Sequence, residues 1–254
     1  MQISSNIAGC PLLTFDTLPS TNTYLKEHAD ELPDRTVVTA DLQSCGKGRI
    51  GNTWLATRDM LPVSMLIKAP DNAHDLTVIC AVAVCRAIER LSGIKAGIKW
   101  TNDIICSERK VCGILCESVC FGSSIDIVCG IGVNLSQKPE FFEKAGIPHG
   151  GSIEMLTGQT IAERNALAGE ICSKLYAYTR EGFPAISEEY VSRCMTVGKK
   201  IRIIENGNER EAFAEGIAPN GFLICSDESG RFEVNSGEVS VRGLMDYISR
   251  MNLR

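Results

Sequence analysis

A chain that runs from the β-branched stretch Thr36-Val37-Val38-Thr39-Ala40 straight into Asp41-Leu42-Gln43-Ser44-Cys45-Gly46-Lys47-Gly48-Arg49-Ile50-Gly51-Asn52-Thr53-Trp54 must hang a polar, doubly basic, glycine-rich loop on the end of a strand. Such a loop is built around an anion. Gly46, Gly48 and Gly51 are expected to let the backbone take positive φ and approach a ligand closely, and Lys47 and Arg49 supply charge for a carboxylate or phosphate. Gly46-x-Gly48-x-x-Gly51 has the letters of a dinucleotide-binding fingerprint but not its context. That fingerprint needs its first glycine directly after a strand and a helix opening at its third, whereas Leu42 to Cys45 intervene here and Asn52-Thr53-Trp54 starts no helix. A P-loop is excluded too, because no Gly-Lys-Ser/Thr closes the run. Alone, the loop reads more readily as a mobile surface loop, by about two to one, so its meaning depends on its neighbours.

The 254 residues, 44% of them hydrophobic, suffice for one large domain or for a large and a small one. A net charge of −5 creates no global field for nucleic acid or an anionic membrane, so any anion site must be local. No apolar run reaches the length of a membrane span. Met1 to Leu13 has neither a charged n-region nor an apolar h-region, so the twelve cysteines are expected to be reduced thiols in the cytoplasm. None forms a C-x-x-C pair, and with three histidines zinc has little support. Cys112, Cys116 and Cys120 share one face of an expected strand and read as core.

Ser20-Thr21-Asn22 suits the N-cap of a helix through Tyr24, Leu25, Ala29 and Leu32, and a helix start also offers free N–H groups to a ligand. Val63 to Ile67 alternates as a strand, and Leu76 to Leu91 is a largely apolar helix stopped by Gly93. Gly97 to Trp100, the turn Thr101-Asn102-Asp103, Ile104 to Cys106, Val111 to Cys120 and Ile125 to Asn134 are sheet elements. Thr160 to Cys194 is helical with a break at Gly182-Phe183-Pro184, its apolar positions Leu167, Ile171, Leu175 and Tyr178 turned toward the sheet. Beyond Gly198 come short strands with turn signals at Asn206-Gly207, Pro219-Asn220-Gly221 and Ser229-Gly230, a small β-barrel after a boundary near Thr196. The expected fold class is therefore α+β, with a mixed β-sheet domain covered by helices over 1–195 and a small C-terminal barrel over 196–254.

Polar clusters sit at the ends of these elements: Ser20-Thr21-Asn22, Gln43 to Arg49, Lys99 to Asp103 with Lys110, and Gly130-Ile131-Gly132-Val133-Asn134. In order and spacing they resemble the biotin protein ligases, whose pattern runs S-T-N, Q-x-x-G-R-G-R-x-G-R-x-W, K-W-P-N-D, K-x-x-G-I-L-x-E, G-x-G-x-N and a closing G-E-x-S-x-R. This chain reads Ser20-Thr21-Asn22, QSCGKGRIGNTW, KWTND, Lys110 to Glu117 as KVCGILCE, GIGVN and GEVSVR. It departs from the family at Lys47 and Asn52, where the pattern has arginine, and at Thr101, where it has proline. Lys47 keeps the charge but loses the bidentate fork, and Asn52 loses the charge.

The resemblance implies a biotin–[acetyl-CoA-carboxylase] ligase with an SH3-like C-terminal barrel, of the monofunctional type without an N-terminal helix-turn-helix domain and without DNA or membrane as partner. Biotin and ATP would give biotinyl-5′-AMP with Mg²⁺, and a lysine of a biotin carboxyl carrier protein domain would then take the biotinyl group. A carboxylate must attack a phosphorus wrapped in negative charge, so cations must stand between them. Lys110, Arg49 and Asp103 are the expected catalytic residues, Lys110 bridging carboxylate and α-phosphate and Asp103 taking the acceptor lysine's proton. Biotin, whose ureido ring both donates and accepts, is assigned to Ser20, Thr21, Asn22, Gln43, Lys47, Gly48, Arg49, Lys110 and Gly113. ATP is assigned to Arg49, Trp54, Lys99, Asn102, Asn134 and Arg242, with Asn134 at the adenine edge; Trp54 and Trp100 read as apolar walls of the biotin pocket or, equally, as core. No protein ligand to a metal is assigned, and the glycine-rich loop is expected to close over bound ligand.

Two other readings stand beside this one. A lipoate or octanoate ligase or transferase shares the catalytic fold, but its acyl tail needs an apolar tunnel and no ureido partners. A non-catalytic SH3-like binding module would use the barrel alone, although Phe222-Leu223-Ile224 is more simply core.

Overall fold

The computed structural model describes residues 5–71, 73–121, 124–161, 164–205, 208–235 and 238–241, and the expectation for Arg242 lies outside them. Their strands form two sheets. The larger, eight-stranded sheet runs in the order β1 (Ser5–Ile7), β2 (Cys10–Leu18), β3 (Val37–Gln43), β4 (Met60–Ile67), β8 (Ser124–Asn134), β7 (Arg109–Phe121), β6 (Asp103–Cys106), β5 (Gly97–Lys99). Its pairs are antiparallel except β2 with β3, which run parallel and are joined through helix α1 (Thr21–Glu27). The sheet is therefore mixed.

Side chains alternate across each strand, and the two faces receive different covers. Leu61, Val63, Met65 and Ile67 of β4, with Cys129, Ile131 and Val133 of β8, join one large core that includes α2 (Leu76–Ser92) and α5 (Arg164–Glu181). α2 is apolar nearly all round, as a helix buried between sheet and neighbouring helices must be, and it ends where Gly93 takes φ 72°. On the opposite face Leu13, Val38, Leu66 and Val128 pack against Leu25 and Ala29 at α1. That second core is small because α1, the helix that covers this end of the face, is short.

Residues 135–159, for which no element was expected, include α3 (Pro139–Lys144) and α4 (Ile153–Thr157). Helices of six and five residues are too short to show a helical period. Downstream, α5 and α6 (Ser187–Arg193) flank a turn of 3₁₀ helix at Phe183–Ala185. The smaller sheet is antiparallel, in the order β12 (Gly230–Val234), β11 (Leu223–Asp227), β10 (Asn208–Ile217), β9 (Lys200–Glu205), β13 (Glu238–Val241).

The two sheets share one apolar core, in which Ile201, Leu223 and Val239 belong with Ile79, Trp100 and Phe183. The Trp100 indole donates to the Gly221 carbonyl at 3.1 Å. Just before the smaller sheet, Met195 N–H donates to Ile98 O at 2.8 Å and closes the β5 edge. All twelve cysteines are free thiols. Cys112 is core as expected, but Cys120 is exposed, because its cross-strand partner Ile125 is itself 51% exposed and the hairpin has run out past the helices.

Arg193 secures this edge from α6. Its guanidinium donates to both Glu89 oxygens at 2.7 and 2.8 Å, to Glu189 at 2.8 Å and to Ala96 O at 3.1 Å. The Arg193 hydrogen bond holds the Glu89 carboxyl below its ordinary value against the opposing effect of burial, and Arg86 followed by Arg193 does the same for Glu189. Carboxyls whose pKa is lowered by folding contribute stability above the ordinary glutamate value of 4.5, lost as pH falls through it toward the folded value. Replacing Arg193 with alanine should cost about 2 kcal/mol, below the range for a fully buried pair because the side chain keeps some exposure. Urea titrations at pH 7 and pH 4 check this. The loss should shrink at the lower pH, and an equal loss at both would remove the ion pair from the account.

Candidate active site

The face left open beside α1 is where the strands lack side chains. Gly113 in β7 and Gly130 and Gly132 in β8 all point to it by alternation from Leu115 and Val128. A β-carbon on Gly113 would lie 2.8 Å from the Trp54 ring, and one on Gly132 would lie 2.7 Å from Trp54 Nε1. One on Gly130 would run into the Asn22 amide. Glycine here makes a floor on which an indole and an amide lie directly against the backbone.

At the α1 end the floor meets a buried polar knot. Ser20 caps the helix, its hydroxyl accepting from Thr23 N–H. Thr21 donates twice to Gln43 Oε1, from N–H at 2.8 Å and from its hydroxyl at 3.0 Å. Ser64 Oγ lies 2.7 Å from Thr21 Oγ1 and 2.6 Å from Asn22 Oδ1, and the Asn22 amide donates to Leu115 O at 3.1 Å and Glu117 at 2.9 Å. Burial works to raise the Glu117 carboxyl, but Lys26 and Asn22 outweigh it and hold the group below its ordinary value. With Gln43 Oε1 committed twice, its amide nitrogen remains to serve the cavity.

The glycine-rich loop folds over the floor as a tight hairpin. Gly48 N–H donates to Asn52 O at 2.7 Å and Trp54 N–H to Gly46 O at 3.0 Å, with Lys47 bridged to Thr53. Of the three glycines expected at positive φ, Gly51 alone has it, at 72°, and Ile50 beside it takes 53°. Gly48 is extended, and Gly46 and Gly48 are needed for space instead, because a β-carbon on either would meet the returning strand at Trp54 O or Asn52 O. Arg49 donates to Asn102 Oδ1 at 3.0 Å, and the Asn102 amide donates to Ile114 O at 3.1 Å, so loop, turn and β7 are tied in series.

Lys110 Nζ lies 2.7 Å from Asp103 Oδ1 and 5.5 Å from the Trp54 ring centroid. Its backbone is held by residues 149–151, Lys110 N–H donating to His149 O at 2.9 Å and Gly151 N–H to Lys110 O at 3.0 Å. Asn134 works on the same join. Its amide donates to Gly151 O at 3.0 Å and Lys110 O at 3.4 Å and accepts from Gln137 at 3.1 Å. Both amide hydrogens thus fix the join between β7 and residues 149–151, while the residue also lines the cavity.

These elements enclose a cavity of about 340 Å³. Every expected site residue within the described range lines it, from Ser20, Thr21, Asn22 and Gln43 through Lys47, Gly48, Arg49 and Trp54 to Lys99, Asn102, Asp103, Lys110, Gly113 and Asn134. Four cations, Lys47, Arg49, Lys99 and Lys110, face one carboxylate, Asp103, so the site is locally positive in a chain of net charge −5. Lys99 is 4% exposed. Sequence reasoning missed Phe142 and His149, which come from the unforeseen stretch after β8, and Val239 of the smaller sheet. It also missed Ser64, a lone polar residue in an apolar strand whose position opposite Leu66's neighbours on the site face was the available signal.

Comparison with known proteins gives this geometry a lineage. The model of the biotin/lipoate A/B protein ligase family matches residues 14–134, and that of the biotin protein ligase C-terminal domain matches residues 196–242. The bifunctional ligase/repressor BirA of Bacillus subtilis is 28% identical over 248 residues, covering 94% of this chain and 76% of that protein. The biotin–[acetyl-CoA-carboxylase] ligase of Mycobacterium tuberculosis is 29% identical over 219 residues, covering 81% of this chain and 79% of that one. Among solved structures, the biotin protein ligase of Aquifex aeolicus in complex with biotin and ATP superposes with a TM-score of 0.77 at 25% identity, covering 91% of this chain and 98% of that one. The mixed sheet with helices and the C-terminal SH3-like domain is the fold of that structure. Two domain matches in one order on one chain, over a site assembled from both sheets, mean that the chain belongs to the biotin protein ligase family.

Proposed function

We infer that this chain is an ATP-dependent, AMP-forming biotin–[acetyl-CoA-carboxylase] ligase, which makes biotinyl-5′-AMP and passes the biotinyl group to a lysine of a biotin carboxyl carrier protein domain. The observation that carries the reading is the gathering of four cations over a glycine floor next to a polar corner, within one cavity. In the first step the biotin carboxylate attacks the α-phosphorus of ATP and pyrophosphate leaves. Two anionic reactants must come together, so the site's work is positioning and charge stabilisation. Lys110 stands over the floor, fixed by Asp103, to hold carboxylate and α-phosphate, while Arg49, Lys47 and Lys99 face the remaining phosphate charge. In the second step the acceptor amine attacks the mixed anhydride's carbonyl and AMP leaves. Asp103 is the carboxylate positioned to take the amine's proton.

The ureido ring of biotin suits the corner made by Ser20, Thr21, Asn22 and Gln43, with Trp54 as the apolar wall. This corner, together with the match to a biotin protein ligase C-terminal domain, favours biotin over a lipoyl or octanoyl acid. Asn134 serves the nucleotide side indirectly, by fixing residues 149–151 against Lys110. Among the described lining residues Asp103 is the single carboxylate, which fits a Mg²⁺ held mainly by phosphate oxygens. Such an ion would neutralise charge on the triphosphate. Use of ATP and a carboxylase partner agrees with a cytoplasmic setting.

Lys110→Ala should lower biotin-dependent ATP–pyrophosphate exchange by about 10²-fold or more, as loss of a charge aimed at the reacting atoms does. Thermal melts should change far less than activity, because a partly exposed strand-end lysine contributes little packing. Near-wild-type exchange would remove Lys110 from the chemistry, and equal exchange with lipoate or octanoate in place of biotin would overturn the substrate.

Gly132→Ala puts a methyl group where the Trp54 indole rests. Overpacking of this kind costs about 1–3 kcal/mol, and displacement of Trp54 should raise KM for biotin about tenfold, the equivalent of roughly 1.4 kcal/mol. Kinetics with biotin varied at saturating ATP decide it. An unchanged KM would mean that the indole is no wall of the biotin site.

A further inference from the structure

Three thiols meet on the sheet face opposite the cavity. Cys80 comes from α2, Cys116 from β7 and Cys129 from β8, and their sulfurs all lie within 4.8 Å of one another. Cys116 and Cys129 are direct cross-strand partners, and α2 lays Cys80 over them. Cys80 and Cys129 are fully buried. Cys116 is half-buried and lines a second cavity of about 190 Å³, shared with His74, Thr77 and Arg49. Packing explains a buried cysteine, which behaves as a small apolar residue. It does not require three sulfurs to converge, nor one of them to open onto a polar cavity. Among the described residues this is the one group of three potential ligands that converges so closely.

We propose that Cys80, Cys116 and Cys129 form a three-thiolate site for a thiophilic d¹⁰ divalent cation, loaded through the second cavity and with its open coordination position on that side. Metal–sulfur bonds of about 2.3 Å set sulfurs about 3.8 Å apart in a tetrahedral site, so the present spacing closes onto a metal by side-chain adjustment alone. Thiolates select soft or borderline ions over Mg²⁺ or Ca²⁺, and the cluster contains no oxygen ligand that would suit those. On binding, three S–H protons leave through the cavity and three metal–sulfur bonds form, so the loaded cluster carries one negative charge. Arg49, which lines this cavity as well as the larger one, is the cation nearest to hand for it.

The test uses the full chain, reduced and anaerobic, with the exposed thiols removed as Cys45→Ser and Cys120→Ser. Titration with Cd²⁺, followed by thiolate-to-metal charge-transfer absorption and by proton release, should give one tight equivalent. Cys80→Ala or Cys129→Ala in that background should weaken it by at least about tenfold, the scale of losing support at a metal site, while Cys172→Ala and Cys225→Ala, buried but outside the cluster, should not. No tight equivalent in the background, or the same affinity in the cluster variants, would overturn the site. Should the cluster variants fail to fold, alkylation of the parent protein decides the matter. Zn²⁺ should slow modification of Cys116 at least about tenfold, and equal modification with and without Zn²⁺ would refute the proposal.

Discussion

Three missing side chains organise this molecule. At Gly113, Gly130 and Gly132 adjacent strands present bare backbone on one face of a sheet whose other face is filled by α2 and α5. The alternation of a β-strand makes the two faces independent, so Cys112, Ile114, Ile131 and Val133 can serve the core while Gly113, Gly130 and Gly132 between and beside them face the cavity. Trp54 lies on Gly113 and Gly132, Asn22 on Gly130, and the space beyond them is the cavity. A β-carbon at any of the three would push out a residue that other parts of the site rest upon.

Around that floor, preorganisation comes from groups already committed to each other. Ser64 ties Thr21 and Asn22 to β4, so the start of α1 cannot drift from the sheet. Asp103 holds Lys110, Asn102 holds Arg49, and Asn134, itself held by Gln137, ties Gly151 to the Lys110 backbone. The cations are gathered before an anion is present, and neutral amides together with a single carboxylate do the restraining. That arrangement leaves most of the positive field for phosphate.

Much of this was legible from residues alone. The β-branched run of β3, the apolar α2 ending at Gly93 and the break at Gly182 announced their own elements by period and by breaker. The polar clusters at the strand ends, read through the family resemblance, named twelve of the expected residues that share the cavity, and the motifs around them added Trp54 and Gly113. What stayed hidden depended on tertiary partners. Ser64 looks like a flaw in an apolar strand until Thr21 is placed against it, and Asn134 looks free until Gly151 and Gln137 arrive. The conformations of Gly46 and Gly48 were misjudged because close approach and positive φ leave the same letter in the sequence. Phe142 and His149 sit in a stretch too short and too irregular to show a period.

The shared core between the sheets bears on how the chain can be divided. Two family matches suggest two separable modules, and a genetic cut near Thr196 would respect both. Solvent would not. The Trp100 indole finds its acceptor at Gly221, and Val239 reaches the cavity wall from the other side of that cut. Severed, the larger piece would show water a tryptophan, a phenylalanine and the flank of α2, a sticky scar where an active-site wall had been. The small domain is in this sense a lid that cannot be unscrewed: its removal is a folding problem before it is a loss of function.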